Sequence, residues 1–210
     1  MSVKTYSKKT QGETLLSPNF KVREFVCKDG SDAVLIDDRL VIFLQGLRNY
    51  YGRPLSINSA YRTAAYNKKV GGASSSQHLY GKAADIVVSG IKPADVAKTA
   101  QTIGALGLGE YSTFVHVDTR TSKSFWYSSS QYKRTTFGGY AQPTGNVKTG
   151  QRGSGVYWIQ TMLKCRGYDC GTADGIFGTK TNDKVRAFQT DKGLVVDGTA
   201  GIKTIAALAY

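Results

Sequence analysis

Apolar and polar positions alternate along this chain in two rhythms. Leu40, Ile42, Phe43, Leu47 and Tyr50 fall at helical spacing behind the acidic pair Asp37-Asp38. A helix is therefore expected there, with carboxylates at its positive end and a stop at Gly52-Arg53-Pro54. Val96, Ala97, Ala100 and Ile103 form the inward stripe of another helix, opened by Pro93 and closed by Gly104. Between them, Thr63 to Val70 reads as one short helix. The rhythm of two appears in Ala83-Ala84-Asp85-Ile86-Val87-Val88 and in Phe114-Val115-His116-Val117-Asp118, and Leu55 to Ser59 reads as a buried strand. Residues 17–127 are thus expected to form an α+β domain with a small, mainly antiparallel sheet and flanking helices.

On either side the pattern changes. Residues 1–16 are polar and read as an extended lead-in. From about 128 to 152 Ser, Thr, Gly and Gln prevail without apolar periodicity, which reads as a linker, with its tyrosines and Phe137 as candidates for docking on the preceding domain. Helical spacing returns with Val156, Ile159, Met162 and Leu163. Two copies of an Asp-Gly-x-x-Gly-x-x-Thr element follow, at Asp174 to Thr181 and Asp197 to Thr204, each leading into a helix. Residues 153–210 are expected to be a small three-helix domain in which Asp174 and Asp197 serve turn chemistry.

Composition narrows the partners. Lys and Arg exceed Asp and Glu by 28 to 15, a formal net charge of +13, which favours a polyanionic partner. No Lys/Arg block is dense enough to resemble a nucleic-acid motif, so nucleic acid is not expected; an anionic membrane surface and anionic polymers such as teichoic acids remain, and charge alone does not choose between them. The first residues lack an apolar signal region and no run approaches spanning length, so neither classical export nor membrane insertion is expected. Cys27, Cys165 and Cys170 offer no Cys-x-x-Cys spacing; the latter two either pair or are ordinary small residues.

The chemistry concentrates around the two histidines of the 210 residues. Each sits in a short segment that also carries an acid: His78 with Asp85 across a Gly81 turn, and His116 with Asp118. On a strand, His116 and Asp118 project to one face while Val115 and Val117 face a core. Two imidazoles and a carboxylate suit Zn²⁺ with a fourth position left for water.

The pattern Ser76-x-His78-x-x-Gly81-x-Ala83-x-Asp85, followed by His116-Val117-Asp118, resembles the signature of the zinc D-Ala-D-Ala carboxypeptidase and endolysin peptidase family, whose fold hedgehog signalling domains share. The likeness extends upstream to Ser59-Ala60-Tyr61-Arg62 and downstream to Trp126. It implies His78, Asp85 and His116 as zinc ligands, Arg62 as the group that holds a substrate carboxylate or polarises a carbonyl, and Ser76, Gln77 and Trp126 as substrate contacts. Better-known members carry an acid three residues before the last ligand, where this chain has Thr113. Glu110 and Asp118 are then the alternatives for the general base. Asp118 has a second possible role, orienting the His116 ring.

Residues 153–210 resemble the type-1 peptidoglycan-binding domain, including Ile159-Gln160 and Ala187-Phe188-Gln189. The combined resemblance implies a monomeric, zinc-dependent peptidoglycan peptidase of endolysin or autolysin design, made in the cytoplasm and reaching the wall after phage-type release or nonclassical export. The other reading is a wall-binding protein whose zinc site is structural.

Overall fold

The computed structural model describes residues 2–128 and 132–209. Met1, Ser129 to Gln131 and Tyr210, which fall in the expected lead-in, linker and C-terminal domain, lie outside the described residues. The chain divides into two compact units, residues 1–97 with 105–137 and residues 98–104 with 138–210.

The first unit opens with β1 (Val3–Ser7), α1 (Lys8–Gln11), β2 (Leu15–Ser17) and β3 (Phe20–Lys21). A 3-10 turn at Val22–Phe25 leads to β4 (Ala33–Asp37) and α2 (Asp38–Tyr51). Then come β5 (Leu55–Ser59), α3 (Ala64–Lys69), a 3-10 turn at Gln77–Tyr80, β6 (Ala83–Val88), α4 (Pro93–Thr102), whose residues from Lys98 on are counted in the second unit, β7 (Gly107–Glu110), β8 (Val115–Asp118), β9 (Ser124–Tyr127) and β10 (Tyr132–Arg134). The main sheet has the order β10-β9-β7-β8-β6-β5. All its neighbours are antiparallel except β7 with β9, which run parallel.

Local chemistry accounts for the elements. The Asp37 carboxylate caps α2 by accepting from the Arg39 N–H, and α2 ends where Gly52 turns left-handed. Leu40, Leu44 and Leu47 of α2 are buried, as are Ile86, Val88, Leu108, Val115 and Val117 of the sheet. Burial of that apolar surface is the main stabilising term, about 25 cal/mol per Å² removed from water.

Two sequence expectations require correction. The lead-in is folded: β1 pairs with β4 from Val3↔Asp37 to Ser7↔Ala33, and β2 pairs with β3. Among the described residues of the expected linker, 128 and 132–152, there is structure as well, and the docking expected of Phe137 is found. β10 adds an edge strand to β9, and Phe137 packs on Phe125 with ring centroids 5.4 Å apart. Farther on, within the second unit, Tyr140 stacks on Tyr157, Val147 bridges Ala200 and Arg152 bridges Ile176. Phe137 and Tyr140 are each half-buried in a stretch whose other described residues are mostly exposed.

The second unit is built on α5 (Ser154–Cys165), α6 (Thr179–Asp191) and α7 (Ile202–Leu208). The two Asp-Gly elements are tied down alike. The Gln160 Nε2 amide donates to Asp174 Oδ1, the Ile176 carbonyl and Thr181 Oγ1, while its Oε1 accepts from the Gly175 N–H. Gln189 repeats the set with Asp197, Thr199, Thr204 and Gly198. A buried amide with all its bonds met fixes each turn. Cys165 and Cys170 are buried and are not joined by a disulfide. Among the described residues no helix is long and apolar enough to cross a membrane.

Candidate metal centre

The register of the sheet assembles the site. In β6 and β8 Asp85 lies opposite His116; β5 adds Ser59 beside Asp85; β7 places Gly109 beside His116; and β9 places Trp126 beside Gly109. Directly opposed residues share a face, so Ser59, Asp85, His116, Gly109 and Trp126 form one row across five strands. His78 arrives from outside the sheet on the Gln77–Tyr80 turn, which Gly81 closes in the left-handed region at φ 65°. A side chain at Gly81 would also meet the backbone of Leu35, so only glycine fits there.

Three heteroatoms converge. His78 Nε2 lies 3.2 Å from Asp85 Oδ1, His116 Nδ1 lies 2.9 Å from the same oxygen, and the two nitrogens are 3.2 Å apart. His78, Asp85 and His116 are all buried. The outer nitrogens fix the tautomers. His78 Nδ1 is 2.6 Å from the Ala60 carbonyl, which can only accept, so the proton is on Nδ1 and Nε2 presents a lone pair. His116 Nε2 is 3.1 Å from Asp118 Oδ2, which puts its proton there and turns the Nδ1 lone pair inward. With the rings neutral and their protons on the outer nitrogens, three lone-pair atoms face one point, which is the donor set of a metal cation. Tetrahedral zinc with bonds of about 2.0–2.2 Å separates its ligand atoms by roughly 3.3–3.6 Å, close to the spacing found here. Among the described residues this trio is the group of three or more His, Cys, Asp or Glu that can hold a metal ion.

The surroundings hold these ligands in place. Arg62 Nη2 donates to Asp85 Oδ2 and its Nε to Ser59 Oγ, while its backbone N–H donates to the His78 carbonyl. Asp118 is buried, with Arg120 Nε and Nη2 on its oxygens at 2.8 and 2.6 Å. Arg120 in turn lies over the Trp126 ring, whose centroid is 5.0 Å from that of His116. Burial opposes ionisation of Asp118, yet the His116 and Arg120 bonds outweigh it and hold the carboxyl at about 2. Asp85 faces the same burial and is likewise pulled well below the carboxylate range by His116 and His78. The two imidazoles diverge: burial lowers His78, whereas at His116 the Asp118 and Asp85 bonds overcome burial and raise it.

Of the residues expected from sequence, His78, Asp85 and His116 come together, with Trp126 beside them. Arg62 faces Asp85 and Ser59, so it supports a ligand where a substrate clamp was expected. Ser76 and Gln77 begin the turn that presents His78, and both are half-buried. Glu110 does not join the site. It is opposite Val115, one position out of step with the Gly109↔His116 pair, so it belongs to the other face, where its Oε2 accepts from Arg134 Nη1 at 2.9 Å. Asp118 is bonded to the outward nitrogen of His116, on the side away from the inward lone pair, the position of a group that orients the ring. Sequence reading missed Arg120, Ala60 and Gly109. An Arg two residues after an acid at a strand end is a readable signal for the first; the other two follow only from register.

Comparison with known proteins adds the lineage. Residues 18–118 match the Peptidase M15 family and residues 152–208 the putative peptidoglycan binding domain. A spore cortex-lytic enzyme of Bacillus cereus is 43% identical over 58 residues, 28% of this chain and 22% of its own length. The zinc D-Ala-D-Ala carboxypeptidase of Streptomyces albus G is 46% identical over 44 residues, 20% of this chain and 17% of its own. The chain thus spans about a fifth of the length of these curated relatives. Among solved structures, the SleB N-terminal domain is 40% identical, with 32% of this chain and 93% of that chain covered and a TM-score of 0.32.

Proposed function

Because this chain joins a Peptidase M15 region to a putative peptidoglycan binding region, we propose that it is a zinc-dependent peptidase of the bacterial cell wall. Its substrates are stem peptides or cross-links containing D-amino acids, and the second unit holds it on peptidoglycan. The observation that carries this reading is the convergence of His78 Nε2, Asp85 Oδ1 and His116 Nδ1 with both imidazole protons fixed outward. Zinc bound there would supply a Lewis acid and a water whose pKa falls to about 7.

The chain's own residues divide the remaining work. Asp118 and Arg120 hold the His116 ring in the tautomer that presents Nδ1; Arg62, bonded to Asp85 Oδ2, aims that carboxylate; the Ala60 carbonyl fixes His78. Trp126, half-exposed beside His116, offers an aromatic face to a bound peptide. Tethering to an insoluble polymer raises the local enzyme concentration, the physical reason for the second unit, and the +13 charge suits anionic wall polymers as a further attachment.

A second reading is supported by one finding: Glu110 lies on the other face with Arg134, and Asp118 bonds the outer nitrogen of His116, so neither carboxylate enters the space between His78, Asp85 and His116. In that reading the metal is structural and the chain only binds the wall. Zinc-loaded protein is incubated with purified sacculi and new amino termini are followed by mass spectrometry, with His116→Ala as control. Peptides released by the wild type alone support the peptidase; no new termini on any wall chemotype leaves the binding reading.

A further inference from the structure

Attack on a peptide carbonyl puts negative charge on its oxygen, and an O–H or N–H aimed at that oxygen lowers the barrier. Arg62, expected to supply this donor, has Nη2 on Asp85 and Nε on Ser59. We propose that Tyr111 is the donor, a catalytic residue whose phenol O–H stabilises the carbonyl oxygen as it becomes an oxyanion. This inference rests on the peptidase reading.

Register places Tyr111 on the correct face. Gly109 is opposite His116 and Glu110 opposite Val115; the next pair in the hairpin, Tyr111 and Phe114, is joined by the Tyr111 N–H to the Phe114 carbonyl. Side chains alternate, so Tyr111 returns to the His116 face. Its ring stacks on Phe114, centroids 4.2 Å apart and planes 10° from parallel.

The indole of Trp126 lies between Tyr111 and His116. A Cβ at Gly109 would collide with that indole, so glycine in β7 is what lets Trp126 cross the strand and rest 5.0 Å from the His116 ring. From there its Nε1–H donates to the Tyr111 hydroxyl oxygen at 3.1 Å. Indole nitrogen only donates, so this bond occupies a lone pair of the phenol and leaves its proton to give. Among the described residues no acceptor takes that proton. The result is a stacked, tethered phenol, joined to the His116 ring through Trp126, with one unspent donor, the preorganisation that electrostatic stabilisation needs. No proton is transferred: the phenol O–H bonds to the oxygen as the C–O π electrons move onto it, and the proton stays on the tyrosine.

The test compares wild type with Tyr111→Phe, which keeps the stacking ring. Its readouts are zinc stoichiometry, kcat and KM on the peptide identified in the sacculus digest, and calorimetric affinity for the phosphinate isostere of the cleaved bond. The variant should bind zinc fully, lose about 10²-fold in kcat with KM little changed, and lose phosphinate affinity by a similar factor while binding of the product peptide is unchanged. Trp126→Phe should fall between the two, and the double variant should be no worse than Tyr111→Phe. Tyr111→Phe with undiminished kcat and phosphinate affinity, or with lost zinc, overturns the role. A wild type that releases no peptide overturns the peptidase reading and this inference together, so the two failures are told apart.

Discussion

At the residue scale, the decisive fact about His116 is which nitrogen faces where. Nδ1 faces His78 and Asp85, and Nε2 is held by Asp118. Asp118→Asn keeps an acceptor for the ring but removes the charge and leaves Arg120 unpaired. Zinc affinity should therefore weaken about 10- to 100-fold, measured by competition with a chromophoric chelator. Turnover should recover at saturating zinc, because the residue positions the ring and takes no proton; activity that stays low on full zinc would return Asp118 to the base role. Glu110→Gln should leave turnover within about twofold and lower stability by less than about 1 kcal/mol, since it breaks only an ion pair with the half-exposed Arg134. The two histidines and Asp85 were legible because each lies in a short apolar frame with a defined turn. The face occupied by Glu110 was not, because parity across a hairpin depends on where the turn closes. Had the Tyr111–Phe114 closure been read from sequence, it would have put Glu110 opposite Val115.

At the element scale, β7 carries the two glycines that let its neighbours pack over it. A Cβ at Gly107 would meet the Asp118 carboxylate, and one at Gly109 the Trp126 indole. These contacts sit on the His116 face, whereas Leu108 between them is fully buried on the other. Gly109→Ala should therefore displace Trp126, costing about 1–3 kcal/mol by overpacking in thermal or denaturant unfolding. Tryptophan fluorescence should shift in the same variant, and unchanged fluorescence would show that the strand moves in place of the ring. Helix α2 and strands β5, β6 and β8 could be read from periodicity because their burial is local in pattern. β1 could not: it is a mostly exposed strand whose order comes from pairing with β4, about thirty residues away in the chain. β10 escaped for the same reason, its polar sequence giving no rhythm to see.

At the scale of the whole molecule, the two tryptophans fall one in each unit, which makes metal-linked stability separable. Trp126 lies beside His116, and Trp158 is buried in α5. All three proposed ligands belong to the first unit, so a cation that binds only its folded form should stabilise that unit. The gain is RT ln(1 + [L]/Kd), about 2.7 kcal/mol at a hundredfold excess over Kd. In a Trp158→Phe background the remaining indole reports the first unit, and its melting temperature should rise with zinc and fall back with a chelator. In a Trp126→Phe background the Trp158 transition should be indifferent to both, because the Gln160 and Gln189 networks that hold the second unit contain no metal-binding trio. His116→Ala should abolish the zinc response of the first without touching the second. Equal zinc shifts at both tryptophans would mean that the units unfold as one cooperative body, and no shift at Trp126 would mean that the three converging acceptors do not hold the ion.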